Sequence, residues 1–236
     1  MKKLIKIGMV MVIMMSTLTG CVSREEVAIQ FVQLTRYYPT ENILDIVKSS
    51  AYATSGTLIL NSDVSYYVSG NLYVETMLLY IDVEMMECTG KYIVDYYGTE
   101  EAEKTIERKH TIEYALYYDE EGYHLIDEVK DEELKDRILN FKFLFQYVDF
   151  GDKYFESMKI EYARHNSATD SYSIKYYVPE GDKNVETIYN HIPNLPKSDN
   201  ITIEFSTDLG MKMLFNDDDK TTIRENITYQ TYKWKH

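Results

Sequence analysis

Side chains that could bind a metal ion are spread widely along this sequence. The five histidines include no pair at the i, i+2 or i, i+4 spacing that brings two imidazoles to one side of a strand or helix. Zinc sites usually contain such a local pair. We therefore predict no metal site and interpret each histidine as a surface or strand-end residue. They are His110, His124, His165, His191 and His236.

The densest acidic run, at residues 217–219, is the other candidate for binding a cation. A calcium loop of the helix-loop-helix kind needs alternating oxygen ligands, a central glycine and a closing glutamate. Residues 216–221 contain no glycine and are too few. We interpret residues 217–220 as a hairpin turn, and the acidic residues 100–104 as a solvated turn or a single helical turn.

Short motifs for covalent or nucleotide chemistry are absent from the sequence. It has no Gly-x-Ser-x-Gly, no phosphate-binding glycine loop and no dinucleotide-binding fingerprint. The members of a catalytic triad can come from anywhere in a chain, so the scattered Ser, His and Asp residues of this sequence are no evidence for one. We interpret Cys88 as a small core or strand residue. We predict that the protein is not an enzyme and uses no cofactor.

The first twenty residues have the layout of a signal peptide. A basic start with Lys2, Lys3 and Lys6 is followed by an apolar run over 7–15 and small residues over 16–20. The apolar run is shorter than the roughly 20 residues that cross a bilayer. We therefore expect this segment to be removed.

Leu18-Thr19-Gly20-Cys21 resembles the lipobox of bacterial lipoproteins, which has a branched aliphatic residue, two small residues and a cysteine. The resemblance implies cleavage before Cys21 and a diacylglyceryl group, with palmitate-like chains, on its sulfur. Two acyl chains, at about 0.8 kcal/mol per buried methylene, anchor a domain stably to a membrane. The protein would then be held at the outer, extracytoplasmic face of the cell membrane. The alternative is an ordinary secretory signal that happens to precede a cysteine.

The charge and composition of the chain limit the classes of molecule that it can bind. The net charge of −14 becomes −17 when the first 20 residues are removed, because they contain three lysines and no acidic residue. Such an acidic chain disfavours nucleic acid and electrostatic adsorption to anionic lipid headgroups. Ten glycines, four prolines and 23 tyrosines favour long strands. We predict a signal peptide over 1–20 and one extracytoplasmic domain over 21–236.

Helical patterns begin directly after the cysteine. Ser23 and Glu26 fit a capping box, and helical apolar spacing predicts a helix over 24–38. Only Val22 separates Cys21 from this cap, so we expect the domain to rest against the membrane. Further helices are predicted over 41–48, over 134–148 from a stripe of apolar residues, and over 185–192.

Strand patterns fill most of the remaining chain. Strands are predicted at 58–60, 65–68 and 72–86, separated by turn compositions at 61–63 and 69–71. In the last of these, Ile81, Val83 and Met85 alternate with acidic residues, which predicts one buried face. Hairpins are predicted over 112–125 and 158–176, and closing strands over 201–205, 211–215 and 227–231. These short connections predict an antiparallel sheet.

The resulting fold class is α+β, with one large curved antiparallel sheet and about three helices on its concave side. Residues 24–236 resemble the LolA-like half-barrel of outer-membrane lipoprotein carriers and related envelope lipoproteins. The resemblance lies in the element order, the run Tyr-Ala-Thr-Ser-Gly-Thr-Leu-Ile-Leu at 52–60, the strand over 201–205 and the lipobox. It implies an incomplete barrel around an apolar cavity. A solute-binding component of a transporter is disfavoured, because the chain lacks alternating strands and helices.

The apolar face of the predicted sheet is the candidate site for a ligand. Residues predicted to point inward from it are Met77, Met85, Ile203, Phe205, Met211, Met213 and Phe215. Methionine adapts to varied apolar ligands, and it also fills cores. An open cavity would favour binding of a lipid or other apolar molecule. A filled concave side would favour the alternative, a structural or protein-interaction lipoprotein without a ligand.

Replacing Cys21 by serine tests the anchor. The Cys21→Ser protein should lose acyl labelling and leave the membrane fraction, because the only predicted attachment is the thioether-linked lipid. Fractionation of cells fed a labelled fatty acid measures both properties. Continued recovery of the variant in washed membranes would contradict the lipid anchor.

Overall fold

Strands dominate the described part of the chain. The computed structural model describes residues 23–31, 35, 37–49, 55–99, 106–151, 153–192, 195–207, 210–215 and 221–230. Within these residues the strands are β1 (Thr57–Val68), β2 (Asn71–Asp82), β3 (Glu87–Thr99), β4 (Ile106–Asp119), β5 (Gly122–Leu125), β6 (Lys159–Asn166), β7 (Ser171–Tyr177), β8 (Thr202–Ser206), β9 (Gly210–Leu214) and β10 (Thr222–Gln230). The helices are α1 (Arg24–Ile29), α2 (Asp45–Ser49), α3 (Glu132–Leu139) and α4 (Lys183–His191), with a 3₁₀ turn over Leu144–Gln146.

All ten of these strands belong to one open antiparallel sheet, in the order β5-β4-β3-β2-β1-β10-β9-β8-β7-β6. Two five-stranded meanders, β1–β5 and β6–β10, meet where the first strand pairs with the last. That pairing runs from Thr57 opposite Gln230 to Ser65 opposite Thr222. We call the β1/β10 pairing the seam. The α+β class and the antiparallel sheet are therefore confirmed.

One face of the sheet is largely apolar and is covered by other parts of the chain. Alternation places Leu58 and Leu60 of β1 on this face, with Ile81 and Leu79 opposite them on β2. The same face continues through the seam to Ile223 of β10. We call it the covered face. These side chains are buried because period-two alternation points every second residue of a strand to the same side.

Two segments lie across the covered face. The first consists of α1, which packs against β6 and β7, and the described residues that follow it as far as residue 49. The second, residues 126–158, runs from β5 toward β7 and contributes Phe143, Phe145 and Val148 to the core. The segments bond to each other where they meet. Thr40 N donates to Phe145 O at 2.7 Å, and Gln146 Nε2 donates to Glu41 O at 2.9 Å.

The opposite face of the sheet carries polar ladders. Lys91 Nζ lies 2.8 Å from Glu113 Oε2 on the neighbouring strand, and Thr111 Oγ1 donates to Asp95 Oδ1 at 2.6 Å. Cross-strand pairs of this kind stabilise a sheet and tolerate water. The alternation predicted over 81–85 is confirmed at Ile81, which is buried, and is wrong at Met85, which follows the end of β2.

Several local predictions are confirmed by the structure. The hairpins appear as β4–β5 and β6–β7, and α4 covers the predicted helix over 185–192. The capping box is present, with Ser23 Oγ accepting from Glu26 N and Glu26 Oε2 accepting from Ser23 N. Each of these features depends on residues close together in sequence.

The turn predicted at 61–63 is wrong, because β1 continues through it. Polar partners satisfy these side chains within the sheet. Asn61 Nδ2 donates to Asp63 Oδ2 at 3.0 Å, and Thr76 Oγ1 of β2 donates to Asp63 Oδ1 at 2.7 Å. The inward position predicted for Met85 is also wrong, as described with the site below.

The helix predicted over 134–148 ends at Leu139. Asn140 Nδ2 bonds back to Asp136 O, and Phe143 takes an extended conformation before the 3₁₀ turn. The helix predicted over 24–38 is observed as α1, ending at Ile29, and residues 32–34 and 36 lie outside the described residues. The helix predicted over 41–48 begins at Asp45.

Some predictions fall outside the described residues. These concern Cys21, the signal peptide, the turns at 100–104 and 217–220, and His236. Among the helices that the structure describes, none has the length and apolar composition needed to cross a membrane.

Gly90 provides a test of packing at the covered face. It lies on β3 between Leu79 and Leu116 of the flanking strands, and an added Cβ would come within 2.7 Å of Leu79 Cδ2 and would also meet Leu78 O. Overpacking of this kind costs about 1–3 kcal/mol. We expect Gly90→Ala to lower the melting temperature by roughly 3–10 °C, measured by circular dichroism. Gly151→Ala is the control, since its nearest contact would be 3.6 Å away; equal melting temperatures for the two variants would contradict the packing described.

Candidate functional site

The seven predicted ligand-binding residues do not form one site. Five of them, Met77, Ile203, Met211, Met213 and Phe215, are buried in the core of the covered face. Phe205 is also buried and forms part of a cavity wall.

Met85 lies instead in an exposed turn, with 57% of its surface accessible. β2 stops at Asp82, whose Oδ1 accepts from Glu84 N and Met85 N at 3.0 Å each. These two hydrogen bonds from the backbone to the Asp82 side chain form a turn, and this turn ends β2 before Met85.

A cavity of about 720 Å³ opens between α1, residues 150–158 and strands β6–β8. We call it the aromatic cavity. Its wall contains Phe31, Phe150, Phe155, Tyr176 and Phe205. Its size falls within the ~300–1,000 Å³ typical of sites for small organic ligands.

The rings of this wall pack on one another in a continuous series. Phe155 lies 4.9 Å from Tyr176 and 5.2 Å from Phe205, between ring centroids. Phe31 lies 5.8 Å from Phe205, and Tyr38 lies 4.7 Å from Phe150. Such edge and tilted contacts hold aromatic rings in fixed positions. The apolar wall is therefore held in place by the packing of its own side chains.

The cavity also has a polar edge. Arg24, Glu25 and Glu156 contribute to its lining and are exposed to solvent. An apolar interior with a charged edge suits an amphiphile, whose polar end stays hydrated while its chain is buried.

Glu225 is a residue of β10 in the seam, and its side chain lies at the middle of the covered face. It is 2% exposed, and Oε1 accepts from Tyr38 Oη at 2.8 Å and from Phe145 N at 3.1 Å. Oε2 accepts from Leu144 N at 2.6 Å. In the described part of the chain, no Lys, Arg or His nitrogen lies within 4 Å of this carboxylate. Glu225 therefore depends on neutral donors from both covering segments.

Burial raises the pKa of the Glu225 carboxyl to about 7, although the hydrogen bonds from Tyr38, Leu144 and Phe145 act in the opposite direction. Burial also raises the pKa of Tyr38, and the neighbouring Glu225 adds to this rise. The protonated carboxyl is thus favoured in the fold relative to a solvated glutamate.

Sequence reasoning missed Glu225 and most of the aromatic wall. A signal for Glu225 was present, because it takes the period-two position between Ile223 and Ile227 on the otherwise apolar face of β10. Phe150 and Phe155 belong to a segment without helix or strand periodicity. The only signal in the sequence that this segment is buried is its density of aromatic residues.

The described histidines and the remaining cysteine are placed apart from these features. His124 and His165 each contact an aspartate, at 2.8 and 2.9 Å, and His191 contacts Thr187 O. Among the described residues, no three His, Cys, Asp or Glu side chains are grouped to hold a metal ion. Cys88 is buried on β3, and burial raises the pKa of its thiol to about 12. Its predicted role as a core residue is confirmed.

Glu225 should make stability depend on pH. A folded pKa of about 7 lies above the ordinary value of 4.5, so the contribution is fully present below pH 4.5 and is lost as pH rises through 7. We expect this group to lower the free energy of unfolding by roughly 3 kcal/mol across that window. Urea unfolding of the wild type and Glu225→Gln at several pH values measures the difference between their curves.

Glu204→Gln is the matched control, because Glu204 also accepts from a tyrosine, Tyr162, but lies on the polar face. It should keep the wild-type pH dependence. Parallel curves for the wild type and Glu225→Gln between pH 4.5 and 8 would contradict the assignment to Glu225.

Comparison with known proteins shows that the chain is similar to lipoproteins of Staphylococcus aureus. An uncharacterized lipoprotein of Staphylococcus aureus strain N315 is 29% identical over 186 residues, covering 75% of this chain and 71% of that protein. Another from strain MRSA252 is 30% identical over 188 residues, with the same coverage, and one from strain USA300 is 28% identical over 201 residues, covering 80% and 77%. These relatives support a membrane-anchored extracytoplasmic lipoprotein. The model of the Csa1 family matches residues 24–232, nearly all of the described sheet and its covering segments, and the chain belongs to that family.

Proposed function

We propose that this lipoprotein binds an apolar molecule, such as the acyl chain of a lipid, in the aromatic cavity. The observation that carries the proposal is the space of about 720 Å³ walled by packed aromatic rings beside α1. Three of the predicted ligand-binding residues, Met77, Met213 and Phe215, are fully buried in the core and do not line this space. The ligand is therefore assigned to the edge of the sheet near β6–β8 rather than to the centre of its apolar face.

The shape and chemistry of the cavity favour a chain-like amphiphile. Burial of apolar surface supplies about 25 cal/mol per Å², so a buried alkyl chain gains affinity along its whole length. Arg24, Glu25 and Glu156 at the edge provide opposite charges for a polar headgroup.

The anchor supports a membrane source for this ligand. Cys21 precedes Arg24 by three residues, and an extended chain spans at most about 3.6 Å per residue. The Cα of Arg24, at the edge of the cavity, therefore lies within about 11 Å of the Cα of Cys21, the residue predicted to carry the lipid. Lipid from the same leaflet reaches the cavity without crossing bulk water.

The resemblance to the LolA-like half-barrel fits this role, since it implies an antiparallel sheet that shelters an apolar cavity. An open sheet with one covered face supports the resemblance. We propose a binding protein rather than an enzyme.

The alternative is an interaction lipoprotein that uses the polar face of the sheet. It is favoured by the extensive filling of the covered face and by the polar ladders opposite. The two roles differ in whether the aromatic cavity takes up a ligand from solution.

Filling the cavity should block uptake. Ala28 of α1 lines the cavity, so Ala28→Trp places a large side chain inside it. In the mature Cys21→Ser protein we expect this change to weaken binding of a fluorescent fatty acid at least tenfold, since apolar contacts and volume are lost together. Fluorescence titration and native mass spectrometry measure binding.

Ile29→Trp is the control on the same helix, because Ile29 is 65% exposed and does not line the cavity. It should bind like the parent protein. Absence of fatty-acid uptake by the parent would reject ligand binding and favour the interaction role. Equal uptake by both tryptophan variants would place the ligand elsewhere.

A further inference from the structure

The aromatic cavity follows one side of α1, and the beginning of this helix forms its edge. Arg24 and Glu25 of the first turn contribute to the lining, as do Ala28 and then Phe31 just beyond the helix. Side chains three and four positions apart lie on the same side of a helix. Arg24 and Glu25 are exposed, whereas Phe31 is buried. The cavity therefore leads from solvent at the start of α1 into the core.

The inner part of the cavity is walled by aromatic rings. Phe205 of β8 is 1% exposed, and both Phe31 and Phe155 pack against it. The ring of Tyr38 also lines the space, but its hydroxyl already donates to Glu225 at 2.8 Å. This part of the wall therefore offers apolar contacts, which suit an alkyl chain.

The residue predicted to carry the lipid directly precedes this edge. Ser23 is the first described residue, and its two hydrogen bonds with Glu26 fix the start of α1. Only Val22 separates Ser23 from Cys21, so the Cα atoms of Cys21 and Ser23 are at most about 7 Å apart. A lipid on the Cys21 sulfur is thus tethered close to the edge of the cavity.

We propose that the aromatic cavity takes up one acyl chain of the lipid on Cys21 of the same molecule. This role depends on the ligand binding proposed above and on the lipid predicted at Cys21, and it names the ligand. A separate lipid molecule loses translational freedom when it binds, whereas a chain attached three residues before Arg24 has already lost most of it. The attached chain is therefore favoured over a free lipid of the same length.

The charges at the edge of the cavity also favour the attached lipid. Two carboxylates, from Glu25 and Glu156, and the single guanidinium of Arg24 contribute to the lining there. The phosphate or carboxylate of a separate anionic lipid would meet this excess of negative charge. The glyceryl esters that join acyl chains to a lipidated cysteine carry no charge, so they can lie at this edge without repulsion.

The size of the cavity implies that only one chain enters. A space of about 720 Å³ is typical of sites that hold a single small organic ligand, and a diacylglyceryl group carries two palmitate-like chains. The second chain then remains in the bilayer. One acyl chain alone gives only marginal and reversible membrane binding. Uptake of the first chain would therefore convert a stable anchor into a reversible one.

Photo-crosslinking of the lipidated protein tests this assignment without any substitution. Cells are fed a fatty acid that carries a diazirine near its methyl end, and the purified protein is reconstituted in unlabelled phosphatidylglycerol vesicles and irradiated. We expect mass spectrometry to find the acyl chain joined to the cavity wall of the same molecule, at Phe155, Tyr176 or Phe205.

Three results of this experiment would overturn the proposal. The first is crosslinking to phospholipid alone, which would place both chains in the bilayer. The second is formation of covalently linked dimers, which would place the chain in a second copy. The third is a protein that incorporates no label, which would remove the lipid itself.

Filling the cavity should strengthen the attachment to the membrane. In the lipidated Ala28→Trp protein we expect crosslinks to the cavity wall to fall at least tenfold. We also expect exchange of the protein between vesicles to slow at least tenfold, because both chains stay in the bilayer. Ile29→Trp is the matched control, since Ile29 is 65% exposed and does not line the cavity. Equal exchange rates for the parent and Ala28→Trp proteins would contradict uptake of the attached chain.

Uptake of a fluorescent fatty acid by the Cys21→Ser protein separates this assignment from the function proposed above. Binding by the Cys21→Ser protein, together with crosslinks to phospholipid alone in the lipidated protein, would keep ligand binding and overturn the assignment to the attached chain. Absence of fatty-acid uptake together with an unlabelled cavity wall would overturn both.

Discussion

The carboxylate of Glu225 is the constraint on which much of the covered face depends. A buried carboxyl group that has no cationic partner must receive hydrogen bonds from neutral donors, because leaving it unsatisfied costs several kcal/mol. Here the donors come from both covering segments, as the hydroxyl of Tyr38 and the amides of Leu144 and Phe145. One side chain of the seam thereby connects the first third of the chain to its middle and its end.

This arrangement also explains why the middle segment is not one long helix. The amides of Leu144 and Phe145 point toward Glu225, so they are not available to carbonyls four residues earlier. α3 ends at Leu139, and the chain turns beneath the seam before continuing toward β7. Two of the residues that bond to Glu225 also border cavities: Tyr38 lines the aromatic cavity, and Leu144 lines a second cavity of about 230 Å³ beside α3.

The two cavities differ in chemistry because the two meanders supply different side chains to the covered face. β7 and β8 contribute Tyr176 and Phe205, which pack against rings from the covering segments. β1 and β2 contribute Tyr66 and Glu75, which bond to each other, and Glu75 also bonds to Arg137 of α3.

Local patterns in the sequence were sufficient for the antiparallel hairpins, α4, the capping box at Ser23 and the buried position of Cys88. Each depends on periodicity or spacing within a few residues, which hydrophobic alternation and capping chemistry record directly. Predictions failed where a distant partner changes the local outcome. Asp63 stays in a strand because Thr76 bonds to it, and the stripe over 134–148 breaks because Glu225 takes its amides.

Periodicity shows which face of an element is buried, but it does not show what lies across that face. It predicted inward positions for Met77, Met211 and Met213. It did not show that these side chains fill the core, or that the aromatic cavity opens beside Phe205. Tyr38 and Glu225 lie 187 residues apart in the sequence, yet the Tyr38 hydroxyl donates a hydrogen bond to the Glu225 carboxylate. Glu225 lies in the seam, where the first and last strands of the sheet pair. The sequence by itself therefore determined the hairpins over 112–125 and 158–176, α4 and the anchor motif, but it showed neither β3 nor the continuity of β1. Only the tertiary structure decided where the covered face is filled and where it is open, because that depends on contacts between residues far apart in the chain.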